Sequence, residues 1–271
     1  MIKNKVNTTI FLNSLFYFLC AYQIIFLISK IGTAVSASVF GIPVRIYYDR
    51  LDYIIRSYDW TADAVSVVFS SGPFICLILG LILLIIYKLV ATETGMLRIL
   101  LVWLIIISII SFFGEIIAGA LLNQGFGYVI MYWFIMDTGR IILTLFGGIM
   151  LFVAGLLLSR NLLFIANIYF IDIKEIEKAK FMLYQYAYPY IAGSIILQLV
   201  ELPRLNWLES GIRLCGIVFL IPAISRSLSI PDMYFEEDQP EFGISWAAAG
   251  AAFILLIIYR IIFGIGLRII L

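Results

Sequence analysis

Long apolar runs separated by short polar segments make up most of this sequence. A transmembrane helix needs about 20 mostly apolar residues, and runs of that length recur along the chain. They lie at about 9–39, 65–89, 96–122, 126–158, 181–200, 207–224 and 245–271. We therefore predict an all-α, polytopic helical bundle of about seven transmembrane helices, with six or eight helices as the alternatives. The count depends on the fourth run, which fits either one long tilted helix or a re-entrant or broken piece near 125–140 followed by a helix.

The polar segments are few and short. Residues 42–63 interleave charged side chains with Tyr and Trp, which is typical of a helix or loop lying at the level of the lipid headgroups. Residues 160–180 carry charges of both signs at helical spacing, which predicts a short surface helix. Residues 231–241 hold five acids and no base. None of these segments is long enough for a separate soluble domain, so we expect residues 1–271 to form a single transmembrane domain.

The distribution of Lys and Arg predicts the orientation of the chain, because cytoplasmic loops are enriched in these residues. With seven crossings and the N-terminus inside, nine of them fall in inner segments and six in outer segments. The inner set is Lys3, Lys5, Lys88, Arg98, Arg160, Lys174, Lys178, Lys180 and Arg226, and the outer set is Lys30, Arg45, Arg50, Arg56, Arg204 and Arg268. We expect a cytoplasmic N-terminus and a place in the cytoplasmic (inner) membrane of a bacterium.

The composition agrees with a chain surrounded by membrane lipids. Hydrophobic residues make up 63% of the sequence and charged residues 13%, with a mean hydropathy of +1.09. Soluble domains have roughly 45–50% apolar and about 25% charged residues. A soluble fold could not cover this much apolar surface with so few charges. The net charge of +1 also excludes a nucleic-acid-binding protein, which needs a concentrated basic surface.

Histidine is absent from the sequence, which removes the commonest metal ligand and the commonest general base near neutral pH. The three cysteines, Cys20, Cys76 and Cys215, each lie inside an apolar run and share no close spacing. Such cysteines behave as small hydrophobic residues. Only carboxylates are left as metal ligands, and these favour Mg²⁺ or Ca²⁺ over Zn²⁺. We therefore expect no cofactor and no transition-metal site.

Ionisable groups inside apolar runs are the candidates for function, because each costs about 2.5–3.5 kcal/mol at membrane depth. The substrate- or partner-binding candidates are Glu115 in the third run, Asp137 and Arg140 in the fourth, and Arg213 in the sixth. The competing interpretation is that ion pairs such as Asp137–Arg140 and Glu209–Arg213 only hold the bundle together. For Glu115 the expected partner is Arg140, which it reaches only if the fourth run bends.

Three short pieces of the sequence resemble the framework of site-2-protease-like intramembrane proteins. Gly114-Glu115-Ile116-Ile117-Ala118 falls where that family carries its helical His-Glu-x-x-His. Asp137-Thr138-Gly139-Arg140 is similar to the family's Asp-Gly-Gly-Arg-type element, whose Asp completes the zinc site. Gly72-Pro73 is similar to a Gly-Pro of the family, although it lies earlier than the family pattern places it. Because Gly114 and Ala118 stand in place of both histidines, the resemblance implies an inactive relative without zinc.

Three classes of function remain open. The sequence has no Walker A, Gly-x-Ser-x-Gly or Cys-x-x-Cys motif, which favours a non-catalytic subunit or scaffold of a membrane complex that binds another membrane segment or a lipid. The second class is a transporter or channel component with a polar path through Glu115, Asp137 and Arg140, although no inverted repeat is evident. The third is a lipid-processing membrane enzyme, whose only acidic cluster, at 231–241, lacks basic partners.

Overall fold

The computed structural model of the chain describes residues 2–48, 50–89, 95–132, 138–235 and 243–269. In these ranges the apolar runs form helices, since a helix satisfies every backbone N–H and C=O internally, as a lipid environment demands. The helices are α1 (Ile2–Val39), α2 (Ala62–Leu89), α3 (Leu97–Leu122), α4 (Gly125–Ile130), α5 (Gly139–Phe164), α6 (Glu175–Met182), α7 (Tyr188–Glu201), α8 (Trp207–Leu228) and α9 (Trp246–Ile265).

Six helices in the described ranges are long and apolar enough to cross a membrane. They are α1, α2, α3, α5 with the 3-10 turn that follows it, α8 and α9. The prediction of an all-α, polytopic helical bundle is confirmed, and six lies within the predicted range. The run predicted at 181–200 is helical as well, but a π-helical turn at Leu183–Ala187 divides it between the shorter helices α6 and α7.

A small sheet covers one end of the bundle, which we call the hairpin end. There β1 (Val44–Ile46), which follows α1, pairs antiparallel with β2 (Leu51–Tyr53) and with β5 (Leu267–Ile269), which follows α9. The prediction of a helix or loop is therefore wrong for β1 and β2, which form a β-hairpin. Val44 and Ile46 are buried while Arg45 between them is partly exposed, and this period of two is that of a strand.

The start of α1 lies at the opposite end of the bundle. Asn13 in α1 donates from Nδ2 to the carbonyl of Gly243, just before α9, at 3.0 Å. A second, two-stranded sheet joins β3 (Asp172–Ile173) to β4 (Met233–Tyr234). Next to it Lys178, which is 1% exposed, forms a salt bridge of 2.6 Å with Asp232. The acidic segment at 231–241 therefore does have a basic partner, contrary to expectation.

The fourth apolar run is divided into two helices, so the broken form of this run is the correct one. After α3, Asn123 and Gly125 take left-handed backbone conformations, with φ of 56° and 58°, and reverse the chain. The six residues of α4 then pack back against α3. A Cβ atom at position 127 would overlap the carbonyl oxygen of Ile116, so Gly127 is what permits this close approach. Residues 133–137, and with them the candidate Asp137, lie outside the described residues.

An aromatic cluster forms the centre of the bundle. The ring of Phe18 in α1 lies 5.0 Å from that of Trp103 in α3 and 5.4 Å from that of Tyr190 in α7, centroid to centroid. Trp103 also contacts the Tyr186 ring at 5.6 Å and donates from Nε1 to Ser14 Oγ at 2.9 Å. Edge-to-face pairs of this kind add to the burial of apolar surface. They pack α7 against α1 and α3 inside the bundle.

Candidate functional site

A buried salt bridge joins the two helices on either side of the α7–α8 turn. Arg213 in α8 donates from Nη1 to Glu201 Oε1 at 2.5 Å and from Nη2 to Glu201 Oε2 at 2.7 Å. Each of the two side chains is only 4% exposed. Arg213 also donates to Gln198 Oε1 at 2.8 Å and to the Tyr22 hydroxyl at 3.1 Å. The planar guanidinium matches the carboxylate in two bonds at once, and its remaining donors reach α1 and α7.

A second salt bridge, between α1 and α8, lies beside the first. Lys30 Nζ donates to Glu209 Oε1 at 2.6 Å, with side-chain exposures of 16% and 9%. The Tyr22 hydroxyl donates to Glu209 Oε2 at 3.5 Å while it accepts from Arg213. Tyr22 therefore connects the two salt bridges into one network of α1, α7 and α8.

Glu115 in α3 faces this network without forming a salt bridge to any described residue. Its electrostatic neighbours are Lys30 and Glu209. Its Oε1 lies 3.5 Å from the backbone nitrogen of Phe126, at the start of α4. A Cβ atom on Gly125 would lie 3.0 Å from the same oxygen, so the glycine leaves room for the carboxylate beside the backbone.

Glu115 and Lys30 both line a cavity of about 470 Å³ at the hairpin end. Its walls come from α1, α2, α3, α4, the β2 strand and the start of α8. The polar lining residues are Ser29, Lys30, Thr33, Arg50, Tyr53, Glu115, Asn123, Gln124, Tyr128 and Asn206, and the apolar ones include Leu51, Val65, Phe69, Pro73, Val129 and Leu208. A chamber of about 20 Å³ between Glu115, Lys30, Glu209 and Tyr22 continues from the cavity into the bundle. It has room for about one water molecule.

An open groove extends the cavity along α2 and the β-hairpin. The groove, of about 650 Å³, shares Leu51, Tyr53, Val65 and Phe69 with the cavity and adds Trp60. The Tyr53 ring lies 5.3 Å from the Trp60 ring and 5.5 Å from the Phe69 ring. Burial raises the pKa of the Tyr53 phenol above its ordinary value, so its hydroxyl stays protonated at neutral pH and can donate a hydrogen bond. The site is thus charged where it meets Glu115 and aromatic along the groove.

A third depression lies on the other side of the salt-bridge network, between α7 and α8. It has a volume of about 340 Å³, and its lining is apolar except for Ser194, Gln198, Ser210, Arg213 and the Tyr190 hydroxyl. Ser194 Oγ is buried there without a hydrogen-bond partner among the described residues. The polar network therefore reaches from the cavity at the hairpin end to the outer surface of α7 and α8.

Three of the four residues singled out from the sequence lie among the described residues, and they have different places in the structure. Glu115 lines the cavity and Arg213 lies behind it in the buried network. Arg140 is exposed and donates from Nη2 to Asn123 Oδ1 at 2.9 Å. The expected Glu115–Arg140 pair is therefore wrong, because Arg140 lies level with the end of α3 whereas Glu115 lies two helical turns deeper.

The Lys30–Glu209 pair was not foreseen from the sequence. Lys30 was expected near an interface, and Glu209 was expected to pair with Arg213 four residues later on the same helix. Instead Arg213 reaches back to Glu201, and Glu209 binds a lysine 179 positions earlier in the chain. Each was visible in the sequence only as a charge next to an apolar run. The pair forms because the long Lys30 side chain reaches from α1 to Glu209 in α8, two helices that are far apart in the sequence.

Chemically, the site offers a carboxylate, a lysine, an arginine, side-chain amides and hydroxyl groups. Within the described residues no group of three Cys, Asp or Glu side chains is arranged to hold a metal ion. Comparison of the chain with family models, with curated proteins and with solved structures gives no match. The described part of the chain is an integral membrane bundle of helices with a charged cavity at its hairpin end.

Proposed function

We propose that this chain is a non-catalytic integral membrane protein that holds a lipid in the cavity at its hairpin end, as a subunit or scaffold of a membrane complex. The observation that carries the proposal is the lining of the cavity and its groove. It is charged beside Glu115 and Lys30, and along the groove it is mainly aromatic and apolar, with Tyr53, Trp60 and Phe69 beside the single acid Asp52. A lipid has the same order, from a polar headgroup to an apolar chain.

The paired charges support binding rather than catalysis. Lys30 and Glu209 hold each other at 2.6 Å, and Arg213 is held by Glu201 in two bonds. Groups fixed in this way are suited to shape a binding site, whereas a general base or nucleophile needs a partner that exchanges protons with it. The proposal also agrees with the resemblance of Gly114–Ala118 and 137–140 to site-2-protease-like proteins, which implies a relative that has lost its zinc ligands.

We further propose that the hairpin end faces away from the cytoplasm, in the inner membrane of a bacterium. The support is the Lys and Arg count: nine of these residues lie at the end that holds the start of α1, against eight at the hairpin end with Arg140 and Arg260 included, and cytoplasmic loops are enriched in these residues. In this orientation the cavity receives its lipid from the outer leaflet.

The test is to fill the cavity and measure the bound lipid. Val65 in α2 lines both the cavity and the groove, while Val67, two residues later, is 46% exposed on the outside of the same helix. We expect native mass spectrometry to find lipid retained by the wild type and by Val67→Trp, and lost from Val65→Trp. Equal retention by both variants would contradict the proposal, as would a wild type that retains only a membrane peptide.

A second candidate function, a transporter or channel component, is favoured by one observation. The polar groups form a continuous path from the cavity through Glu115, Glu209 and Tyr22 to Arg213, which lines the depression between α7 and α8. Arg140, which was expected on such a path, is not part of it. Reconstitution into liposomes distinguishes the two: solute flux that Glu115→Gln abolishes supports transport, and its absence beside bound lipid supports the first proposal.

A further inference from the structure

The charges around the cavity do not balance. Every Lys or Arg that lines the cavity or the chamber behind it already has a carboxylate partner: Lys30 has Glu209, and Arg50 has Asp52 at 2.7 Å. Behind them Arg213 is held by Glu201. Among the described residues this leaves the carboxylate of Glu115 without a cation of its own.

The residues outside the described ranges cannot supply that cation. Positions 1, 49, 90–94, 133–137, 236–242 and 270–271 contain neither Lys nor Arg. Lys3 and Lys5, whose side chains are not described, precede Lys30 by 25 residues or more in the same helix, which is about 38 Å of helix length. The missing positive charge at Glu115 must therefore come from outside the chain or from a proton.

Glu115 also has unused capacity to accept hydrogen bonds. A carboxylate has about four lone-pair positions, and the only donor to it within the described residues is the backbone nitrogen of Phe126, at the long distance of 3.5 Å. The side chain lines the cavity, where it is partly accessible. A carboxylate at membrane depth that is neither paired nor fully hydrogen-bonded is a candidate for binding a ligand.

We propose that Glu115 binds the protonated amine of the ligand held in the cavity; this inference rests on the proposed function and names the chemical group that the site recognises. An ammonium group fits the surroundings in two ways. Its N–H donors match the carboxylate of Glu115 and the amide oxygen of Gln124, which lines the same cavity. Its charge is attracted by aromatic faces, and Tyr53 and Phe69 line the cavity as well.

A metal cation fits the site less well than an amine. A bare divalent or alkali cation needs about six oxygen ligands in place of its water, and the described residues hold no cluster of three acidic side chains. The cavity of about 470 Å³ is also far larger than an ion. The amine can come from two sources, a free small amine or the headgroup of an aminolipid, and the experiment separates them.

The experiment compares amine-containing and amine-free probes on the purified full-length chain. Thermal unfolding in detergent is followed with ethanolamine, with ethylene glycol as its neutral counterpart, and with sodium ions. Native mass spectrometry measures retention of phosphatidylethanolamine against phosphatidylglycerol. We expect the amine probe of each pair to bind at least about tenfold more tightly, as a charge-assisted hydrogen bond provides. Stabilisation by ethanolamine without retention of phosphatidylethanolamine identifies a free amine, and preferential retention of phosphatidylethanolamine identifies a lipid.

Two variants test whether Glu115 is the residue that binds the amine. Glu115→Gln should lose the preference for the amine, whereas Asp172→Asn, the same change at an exposed residue of the opposite end, should keep it. If Glu115→Gln does not fold, Glu115→Asp serves instead and should keep the preference with reduced affinity. Amine binding that survives Glu115→Gln overturns this inference but leaves the proposed function standing. Stabilisation by sodium as large as that by ethanolamine, or no binding of any cationic probe while lipid is still retained, also overturns it. If the wild type retains no lipid at all in native mass spectrometry, the proposed function itself is overturned.

Discussion

Breaking the Arg213–Glu201 salt bridge should destabilise the protein strongly, and removing both partners should cost less than removing either one alone. Both side chains are 4% exposed, so either charge left alone is buried without compensation. Breaking a buried pair in this way costs about 3–5 kcal/mol, while removing both charges avoids the penalty of an unpaired ion. We expect Arg213→Met to cost more than Glu201→Gln, because it also removes the hydrogen bonds that Arg213 donates to Gln198 and to the Tyr22 hydroxyl.

The expected coupling follows from these magnitudes. Two independent losses would add to about 6–10 kcal/mol, whereas a shared interaction predicts that the double variant costs less than the ~3–5 kcal/mol of a single variant. The free energy of unfolding is measured in mixed micelles of mild detergent and dodecyl sulfate, by circular dichroism, for the wild type, both single variants and the double variant. The Lys174–Asp172 pair provides the control, since its side chains are 74% and 55% exposed and its atoms are 3.9 Å apart.

For that exposed pair the coupling should lie between about 0 and 1 kcal/mol. If the losses from Arg213→Met and Glu201→Gln simply add, the two groups do not stabilise each other, and the buried network described above is not the arrangement in the membrane. If the double variant is at least about 2 kcal/mol more stable than the sum of the two single losses predicts, the result supports the buried salt bridge.

The remaining predictions use the same preparations. Gly127→Ala should destabilise by about 1–3 kcal/mol in the unfolding assay because α3 and α4 touch there, whereas Gly148→Ala, with open space around it, should not. Single cysteines at positions 3 and 175 should react alike with an impermeant reagent in intact cells, since both lie at the end opposite the hairpin; labelling of only one refutes the topology. The losses from Glu115→Gln and Arg140→Met should add to within about 0.5 kcal/mol, and non-additivity would restore a contact between them. Elemental analysis should find no near-stoichiometric zinc, as no histidine is present.

The part of the fold that could be predicted is the set of membrane-spanning helices, because these follow from the length of the apolar runs. The lipid requires each crossing to be a helix, so runs of about 20 apolar residues identify α1, α2, α3, α5, α8 and α9. The interruption between α3 and α5 was visible as well, through Gly125 and Gly127. What could not be predicted is the β-hairpin at 44–53, because its strands are only three residues long and their alternation is masked by the surrounding charges and aromatic residues.

The candidate site was predictable in part for a different reason. A single charge inside an apolar run is conspicuous, which is how Glu115 and Arg213 were found. The identity of its partner depends on how helices far apart in sequence pack, and no local spacing reveals it. Helical spacing favoured Glu209–Arg213, and a bend in the fourth run would have allowed Glu115–Arg140. Both pairings were wrong, because α1 supplies Lys30 to Glu209, the α7–α8 turn brings Glu201 to Arg213, and Arg140 binds Asn123.

The two salt bridges and the unpaired Glu115 have different consequences for the bundle. Lys30–Glu209 ties α1 to α8, and Arg213–Glu201 ties α8 to α7, so these three helices form a connected frame. Glu115 lies in α3, and its carboxylate is close to the start of the short helix α4, which packs on α3. No salt bridge among the described residues connects α3 or α4 to the frame. α3 already packs on α1 and α8, and a ligand that binds Glu115 and contacts the cavity walls of α1 and α2 at the same time would add a polar link to this packing. Ligand binding should therefore stabilise α3 and α4 against the frame, in addition to occupying the cavity.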